Sequence, residues 1–326
     1  EKNYNNLIGL PKSLLELPVQ KSEIAVFELG TNRPGEIAWL TDIVRPTVGL
    51  ITNIGFSHIK FLKDLDGVAK EKCSLLQNVS VAILNNNDTK LANIQTDLVT
   101  HRVNFGTDGD VVAQNIHLNC DGLASFQLVI NQLGRSIPIH LPCIGYHNVF
   151  NALAAAAVGY WAGLTLEQIK TGLETFRTVQ MRLQSINING FRIINDAYNA
   201  NPDSVQSALE LFSDLHANGE KIAVLGDMLE LGEQSDRLHL QIGKNIPTNL
   251  DLLITVGKLS RQIAKGAEKR ISHIISCDSA EHVVPIIDRH LSDGDIILIK
   301  GSRRLKLEQI VEELQNREPK DRELKT

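Results

Sequence analysis

The sequence predicts an α/β protein with two parallel-sheet domains that carry helices on both faces of each sheet. Two observations support this fold class. Short apolar runs alternate with amphipathic helical runs in both the N-terminal and the C-terminal part of the chain. The chain also has 326 residues, which is long for one core and favours two domains.

Composition limits the class of protein. Hydrophobic residues make up 43% of the chain and charged residues 22%, as is ordinary for a globular protein. A net charge of −5 argues against nucleic-acid binding, and no apolar run is long enough for membrane insertion. The scattered cysteines have no metal-like spacing and favour free thiols in a cytoplasmic protein: Cys73, Cys120, Cys143 and Cys277.

The N-terminal half predicts a parallel sheet followed by an antiparallel β excursion. Strands are expected at residues 24–29, 48–54 and 81–84, with helices after Pro11, from Glu36 and over 64–76. Alternating runs at 111–118, 124–130 and 136–141 then predict antiparallel strands. Helices over 147–162 and 166–176 and a linker at 177–182 follow.

The C-terminal half predicts a doubly wound domain of ordinary size. Strands are expected at 192–194, 222–225, 252–256, 273–276 and 296–299, with helices between them and a last helix from near Lys306. We therefore divide the chain into residues 1–180 and residues 181–326. The charged tail from Glu318 is expected to fray.

The most informative stretch is the polar run that follows the apolar residues 191–194. Pro202 fits the first turn of a helix, and Asn201 is placed to cap that helix. Capping leaves Asp196, Tyr198 and Asn199 unexplained. Polar side chains beyond a strand and beside a helix N-terminus are also typical of a site for phosphate or a metal-bound nucleotide. From the residues alone, capping and ligand binding both stay open.

Other polar groups follow the remaining predicted strands. They are Glu28, the stretch 53–58, Gly226-Asp227 and the stretch 300–303. Ligands of open parallel sheets bind beyond the carboxyl ends of the strands. We therefore expect the two domains to present these edges to a shared cleft.

An ordered set of motifs resembles the Mur ligase family over essentially the whole chain. The motifs are Asn3-Tyr4-Asn5-Asn6 with Gly9-Leu10-Pro11, Glu28-Leu29-Gly30 with Pro34-Gly35-Glu36-Ile37, Gly145-Tyr146-His147-Asn148 with Asn151, residues 196–204, residues 225–232 with His239, and Lys300-Gly301-Ser302-Arg303. The run 196–204 points to the member that adds D-alanyl-D-alanine. The resemblance implies an N-terminally incomplete, ATPase-type central domain and a C-terminal Rossmann-like domain.

The resemblance also implies a reaction. ATP phosphorylates the C-terminal carboxylate of UDP-N-acetylmuramoyl-tripeptide, and the amine of D-Ala-D-Ala attacks the acyl phosphate. The implied cofactors are ATP and Mg²⁺, and the implied pathway is peptidoglycan synthesis, with its links to cell shape, the cell cycle and cell division. We expect a monomer.

The resemblance assigns roles to single residues. Magnesium ligands are implied at Glu28, His58 and Lys72, the last as a carbamylated lysine. Catalytic roles are implied for Lys72, Arg182 and Asp196. Nucleotide contacts are implied for Asn148, Asn151, Arg182, Asp196, Tyr198 and Asn199. Substrate contacts are implied for Asn201, Lys300, Ser302 and Arg303.

Each of these residues also has an ordinary structural explanation. Glu28 would be a surface carboxylate, Lys72 a solvated lysine, and Arg182 part of a salt bridge in the linker. A lone histidine such as His58 is most often a polar loop residue. His239, like His147, is expected to be structural.

Several features depart from the family pattern. The phosphate-binding loop G-x-x-x-x-G-K-[ST] is absent, so the chain as given is expected not to hydrolyse ATP alone. Lys60 and Asn195 stand where the family has acidic residues, and Ser74 stands where Glu often follows the special lysine. These departures keep two alternatives open: a degenerate nucleotide-binding paralogue without catalysis, and a related amide ligase with another acceptor.

Overall fold

The structure is a computed structural model and describes residues 4–17, 24–95 and 99–316. The motif residue Asn3 and the tail expected to fray lie outside these ranges. The chain folds into two compact units. The first comprises Glu1–Ile116, Phe126–Ile139 and Val149–Glu174, and the second comprises His117–Ser125, His140–Asn148 and Thr175–Thr326. The single boundary at 180/181 stays a prediction.

The first sheet has six strands in the order β1-β2-β3-β4-β5-β6. They are β1 (Val48–Ile51), β2 (Val81–Asn85), β3 (His101–Gly106), β4 (Val111–Leu118), β5 (Leu123–Ile130) and β6 (Arg135–Ile144). Strands β1, β2 and β3 pair in parallel, and the start of β4 continues this pairing. The chain reverses between β4 and β5, where the N–H of Asn119 donates to the carbonyl of Leu123 at 3.0 Å across the turn. The three strands predicted for the antiparallel excursion are thus present in this sheet, whereas strand β3 was missed.

The helices of this half follow the predicted alternation. They are α1 (Gly9–Leu15), α2 (Glu36–Val44), α3 (Ile59–Leu62), α4 (Leu65–Cys73), α5 (Thr89–Ala92), α6 (His147–Trp161) and α7 (Leu166–Glu174). Helix α4 starts at a proper cap, because the side chain of Asp64 accepts from the backbone N–H of Gly67 at 2.8 Å. It passes into a 3₁₀ helix at Ser74–Asn78, where one longer helix was expected.

The prediction of a strand at residues 24–29 is wrong. These residues form no strand in the structure, and the side chains of Ile24 and Val26 are 56% and 84% exposed. A strand requires a neighbour with matching backbone hydrogen bonds, and an apolar run alone does not supply one. At the end of the run the chain is nevertheless fixed, because the N–H of Gly30 donates to the carbonyl of Asn5 at 2.7 Å.

The second sheet has the order β11-β10-β9-β12-β8-β7. Its strands are β7 (Gln184–Ile188), β8 (Phe191–Asp196), β9 (Lys221–Gly226), β10 (Leu252–Val256), β11 (His273–Cys277) and β12 (Ile296–Lys300). Its helices are α8 (Pro202–Asp214), α9 (Ser235–Asn245), α10 (Arg261–Ala267), α11 (Val283–His290) and α12 (Glu308–Gln315). The five predicted strands pair in parallel, whereas the edge strand β7 was missed and pairs antiparallel to β8.

This sheet is doubly wound, as predicted. Neighbouring residues of one strand enter different cores: Ile194 of β8 packs with α8, α9 and α10, whereas Ile193 packs with α11 and α12. Such continuous apolar strands are typical of a sheet that is covered on both faces. Among the residues that the structure describes, no helix combines the length and the apolar character needed to cross a membrane.

The turn between β4 and β5 belongs to the second unit. The guanidinium of Arg192 donates to the carboxylate of Asp121 at 3.3 Å and to its carbonyl at 3.0 Å. Gly122 has φ +81°, and a Cβ on it would lie 2.7 Å from a methyl group of Leu215. Only glycine combines this backbone conformation with so close an approach to α8.

The four cysteines differ in accessibility, which gives a direct test of the fold. All are free thiols, as predicted, and only Cys120 is exposed. Burial and the nearby Asp88 raise the pKa of the Cys73 thiol to about 11.

Because the thiolate is the reactive form, we expect iodoacetamide at neutral pH to modify Cys120 and to spare the other three. Peptide mass spectrometry measures this, with denatured protein as the control in which all four react. Alkylation of Cys73 as fast as that of Cys120 would contradict the packing around α4.

Candidate active site

The polar run after β8 combines a helix cap with a set of residues that the cap does not use. The side chain of Asn201 accepts from the N–H of Ser204 at 2.8 Å, and the hydroxyl of Ser204 accepts from the N–H of Asn201 at 3.1 Å. This capping box, followed by Pro202, confirms the predicted start of α8. Asn195 is buried, and its side-chain oxygen accepts from the N–H of Ala197 at 3.2 Å. The amide that replaces an acidic residue here therefore shapes the turn.

Asp196 and Lys300 form a buried ion pair. They are register partners at the carboxyl ends of β8 and β12, and their charged groups lie 2.6 Å apart. The ammonium of Lys300 also donates to the carbonyl of Asn199 at 3.0 Å, and the other oxygen of Asp196 accepts from the N–H of Leu183 at 3.1 Å. Lys300 is only 3% exposed, so this pairing compensates its charge. The sequence singled out both residues but not their pairing.

Arg182 is held against the ring of Tyr198. The guanidinium carbon lies 4.4 Å from the ring centroid, which is a close cation–π contact. Both neighbours of Arg182 have left-handed backbone conformations, with φ +60° at Met181 and φ +48° at Leu183. Such strain in residues other than glycine persists only where the surroundings enforce it, and it is common at functional sites. The guanidinium of Arg303 in turn contacts the sulfur of Met181 at 2.9 Å.

The loop after β9 is fixed by three buried side chains. The carboxylate of Asp227 accepts from the N–H of Ser260 at 2.7 Å, and the hydroxyl of Ser302 accepts from the N–H of Leu229 at 2.9 Å. The ring of His239 accepts from the N–H of Met228 at 2.9 Å and donates through Nδ1 to the carbonyl of Ser235 at 2.7 Å. These contacts join the ends of β9, β10 and β12 into one edge and give His239 the structural role expected.

In the first unit, Glu28 lies on a fixed stretch of chain. The side-chain amide of Asn5 donates to its Oε1 at 2.9 Å, and Glu28 is an exposed residue. A Cβ on Gly30 would lie 2.8 Å from the side chain of Asn5, so the two segments pack tightly. The carboxylate is thus oriented by a neighbouring amide.

Lys72 points toward the loop after β1. Its ammonium donates to the carbonyl of Asn53 at 2.8 Å. Burial lowers the pKa of Lys72 below its usual range, although Asp88 partly offsets this effect. The same loop is held by Asn85, which donates to the carbonyl of Thr52 at 2.9 Å, and by Asp88, which accepts from the N–H of Ile54 at 2.6 Å.

His58 directly precedes α3 and has a left-handed backbone conformation, with φ +55°. The ammonium of Lys60 lies 5.4 Å from the ring centroid of Phe61, and the guanidinium of Arg33 lies 5.8 Å from the same ring. Over the stretches that the structure covers, no three His, Cys, Asp or Glu side chains are grouped closely enough to hold a metal ion. The placement of Glu28, His58 and Lys72 around one ion therefore stays a prediction.

Asn148 and Asn151 both lie in the first turns of α6. The side-chain amide of Asn148 donates to the carbonyl of Ile144 at 2.8 Å, and Asn151 is exposed. Residues three apart share one face of a helix, so the predicted common face is present. Their role toward a nucleotide stays a prediction.

Sequence reasoning missed Glu71, a buried charged residue of the first unit. It is 5% exposed on α4 and accepts hydrogen bonds from the chain around the start of α2. The signal was available, because Glu71 follows Val68 by three positions and so lies on the apolar face of the helix. A charged residue on that face predicts a specific partner.

The capping box predicts which substitutions at Asn201 reduce the stability of the fold. Asn201→Ala removes the side-chain acceptor and is expected to lower the free energy of unfolding by about 1 kcal/mol. Asn201→Asp keeps the acceptor and is the matched control, with an expected loss of a few tenths of a kcal/mol. Urea unfolding followed by far-UV circular dichroism measures both. Equal stability of the two variants would contradict the role of Asn201 as a cap.

His239 predicts a loss of stability in acid. Burial lowers the pKa of His239, although the Ser235 carbonyl and two nearby aspartates partly oppose this. Between that lowered pKa and the ordinary value of about 6.5 the unfolded chain binds more protons, so stability falls as pH drops below about 6.5. Protonation also removes the acceptor for the N–H of Met228.

We therefore compare the urea midpoints of the wild type, His239→Gln and the exposed control His273→Gln at pH 7.5 and pH 5.5. His239→Gln is expected to be less stable at pH 7.5 and to lose less on acidification. The control should follow the wild type. An unchanged pH dependence in His239→Gln would refute this assignment.

Comparison with known proteins identifies the family. Residues 1–159 match the model of the Mur ligase middle domain, and residues 181–303 match the model described as Mur ligase, glutamate ligase domain. A UDP-N-acetylmuramoyl-tripeptide–D-alanyl-D-alanine ligase of Bacillus subtilis (strain 168) is 37% identical over 322 residues, which are 96% of this chain and 68% of the relative.

Solved structures agree with the sequence matches. A crystal structure of MurF from Acinetobacter baumannii aligns with a TM-score of 0.88 at 33% identity, over 97% of this chain and 70% of that one. The MurF ligase of Thermotoga maritima in complex with ADP aligns with a TM-score of 0.82 at 25% identity, over 94% and 70% of the two chains. The fold, the order of the motifs and these matches together show that the chain belongs to the Mur ligase family.

Proposed function

We propose that this protein is an ATP-dependent ligase that joins D-alanyl-D-alanine to UDP-N-acetylmuramoyl-tripeptide in peptidoglycan precursor synthesis. The observation that carries the proposal is the 37% identity over 96% of the chain to a relative named for this reaction. A structural neighbour with ADP bound supports the nucleotide as cofactor. The four free thiols agree with a cytoplasmic location.

The proposed reaction has two steps. A carboxylate oxygen of the tripeptide takes the γ-phosphoryl group of ATP, and ADP leaves. The amine of D-Ala-D-Ala then attacks the acyl carbon, inorganic phosphate leaves, and the amine loses a proton. The intermediate is an acyl phosphate, which water hydrolyses, so the site must exclude water while it exists.

The donor set in the first unit fits magnesium. Glu28 offers an oriented carboxylate, and the described residues offer no group of three acidic, histidine or cysteine side chains for an all-protein cage. Mg²⁺ keeps several waters and takes one or two carboxylates together with substrate phosphates. When bound, magnesium offsets the negative charge that develops on the transferred phosphoryl group. Glu28 and His58 are the residues that we propose for it.

We further propose that Lys72 carries a carbamate. Burial lowers its pKa and so enlarges the fraction of free amine, which is the form that adds to the carbon of CO₂ with loss of one proton. The product keeps one N–H, which matches the present donation to the carbonyl of Asn53. Its new negative charge would attract the metal ion.

In the second unit we propose that Arg182 holds phosphate. Its stacking on Tyr198 fixes the plane of a guanidinium, which is the geometry that binds phosphate oxygens in pairs. Asp196, Asn199, Asn148 and Asn151 are proposed to contact the nucleotide. Asn201, Lys300, Ser302 and Arg303 are proposed to border the peptide substrates. Lys300 already neutralises Asp196, so its proposed contribution is to keep that carboxylate in place.

Phosphate release by the full-length protein tests the function. Release is expected to require ATP, UDP-N-acetylmuramoyl-tripeptide and D-Ala-D-Ala together, and mass spectrometry should show the pentapeptide product. Replacing D-Ala-D-Ala by D-Ala or D-Glu should abolish release. Activity with another amine would favour a related amide ligase, and nucleotide binding without turnover would favour a non-catalytic paralogue.

Arg182→Lys tests the proposed phosphate contact. Lysine keeps the charge but loses the planar fork and its stacking, so we expect kcat to fall by about 100-fold. Arg304→Lys is the matched control, because this exposed arginine belongs to the same unit, and its kcat should stay at the wild-type value. Equal kcat values in the two variants would remove Arg182 from the proposed machinery.

A further inference from the structure

The buried carboxylate of Glu71 binds the segment that follows Glu28. Its Oε2 accepts from the N–H of Gly35 at 2.6 Å. Its Oε1 accepts from the N–H of Ile37 at 2.9 Å and from the hydroxyl of Thr31 at 3.1 Å. One side chain of α4 thereby holds both ends of the stretch 31–37.

The electrostatics of this contact are favourable. A carboxylate removed from water must be compensated by hydrogen bonds. Gly35 and Ile37 lie at the start of α2, where free N–H groups carry partial positive charge. A second carboxylate, that of Glu36, accepts from the N–H groups of Asn32 and Arg33 at 2.6 and 3.0 Å. The stretch therefore has its amide groups fixed by two acidic side chains.

Two anchors hold the chain at Glu28 and directly after it. Asn5 binds the side chain of Glu28 and the N–H of Gly30, and Glu71 binds the segment from Thr31 onward. Glu71 therefore restrains the chain that continues from Glu28.

Helix α4 links the same segment to the loop that leads to His58. Successive residues of a helix point about 100° apart, so Glu71 and Lys72 reach two different loops. Glu71 binds the stretch 31–37, while Lys72 binds Asn53. The guanidinium of Arg33 lies over the ring of Phe61 in α3, the helix that follows His58. One helix, α4, thus binds a segment of chain near each of the two proposed metal ligands.

We propose that Glu71 is a positioning residue that fixes the segment after Glu28 and thereby tunes the affinity of the site for magnesium. The proposal rests on the proposed function, because it takes Glu28 as a ligand of the metal that accompanies ATP. Residues that orient a metal ligand without binding the metal commonly change metal affinity by about 10- to 100-fold when replaced.

The test compares Glu71→Gln with Asp66→Asn in the full-length protein. Glutamine keeps the side-chain length but replaces one oxygen by an NH₂ group, which cannot accept from a backbone N–H. Asp66 is an exposed carboxylate on the same helix, where it pairs with Lys90, and serves as the matched control. We measure the Mg²⁺ concentration for half-maximal ligation, the KM for D-Ala-D-Ala, and hydrogen exchange at the amides of Gly35 and Ile37.

For Glu71→Gln we expect the half-maximal Mg²⁺ concentration to rise by at least about 10-fold. The KM for D-Ala-D-Ala at saturating Mg²⁺ should be unchanged, and exchange at Gly35 and Ile37 should accelerate. Asp66→Asn should behave as the wild type. Faster exchange with an unchanged Mg²⁺ requirement would overturn the proposal, because Glu71 would then only stabilise the fold. Unchanged exchange would overturn it as well.

A second variant keeps the test decisive if Glu71→Gln does not fold. Thr31→Val deletes the hydroxyl that contacts Glu71 and the carbonyl of Arg33, and the same two readouts should move in the same direction by a smaller factor. Wild-type protein that does not ligate at any Mg²⁺ concentration would refute the proposed function and this inference together. Wild-type ligation with normal Mg²⁺ dependence in Thr31→Val and in any folded Glu71→Gln would refute this inference alone.

Discussion

The ion pair between Lys300 and Asp196 is the constraint on which the loops at the carboxyl ends of β8 and β12 depend. An ammonium that is 3% exposed is tolerated only with a charged partner and further acceptors. The register of β8 and β12 places the two charges opposite each other, and the same ammonium holds the carbonyl of Asn199. The pair therefore fixes the turn that leads into the cap at Asn201, and with it the direction of α8.

In both units, side chains supply hydrogen-bond partners for the loops at the strand ends. A loop beyond a parallel strand has N–H and C=O groups that the sheet no longer pairs, and each of them needs a partner. Side chains from neighbouring elements supply these partners, such as Lys72 and Asp88 for the loop after β1, and Asp227 and Ser302 around β9. Loops held in this way keep their shape before a ligand arrives, and such preorganisation is what phosphoryl transfer chiefly requires of a protein.

The sequence predicted features that depend on local chemistry. The start of α8 at Asn201-Pro202 and the apolar strands of the second sheet follow from neighbouring residues, and the structure has both. Features that depend on pairing were not predicted. Residues 24–29 have the apolar character of a strand but no partner strand in the structure, whereas β7 was missed because its strand character depends on its partner β8. For the same reason, the sequence identified Asp196, Lys300 and Ser302 as candidate site residues but did not predict the contacts that they make.

The grouping of the β4–β5 turn with the second unit makes that unit discontinuous along the chain. During synthesis, residues 117–125 and 140–148 leave the ribosome well before α8, on which Gly122 packs through Leu215. Domains generally fold as units, beginning at the N-terminal end. Here the early segments lack these contacts until α8 has been made, and neither unit is complete before translation has passed residue 174. The order of assembly therefore follows from the order in which the segments of the two units occur along the chain.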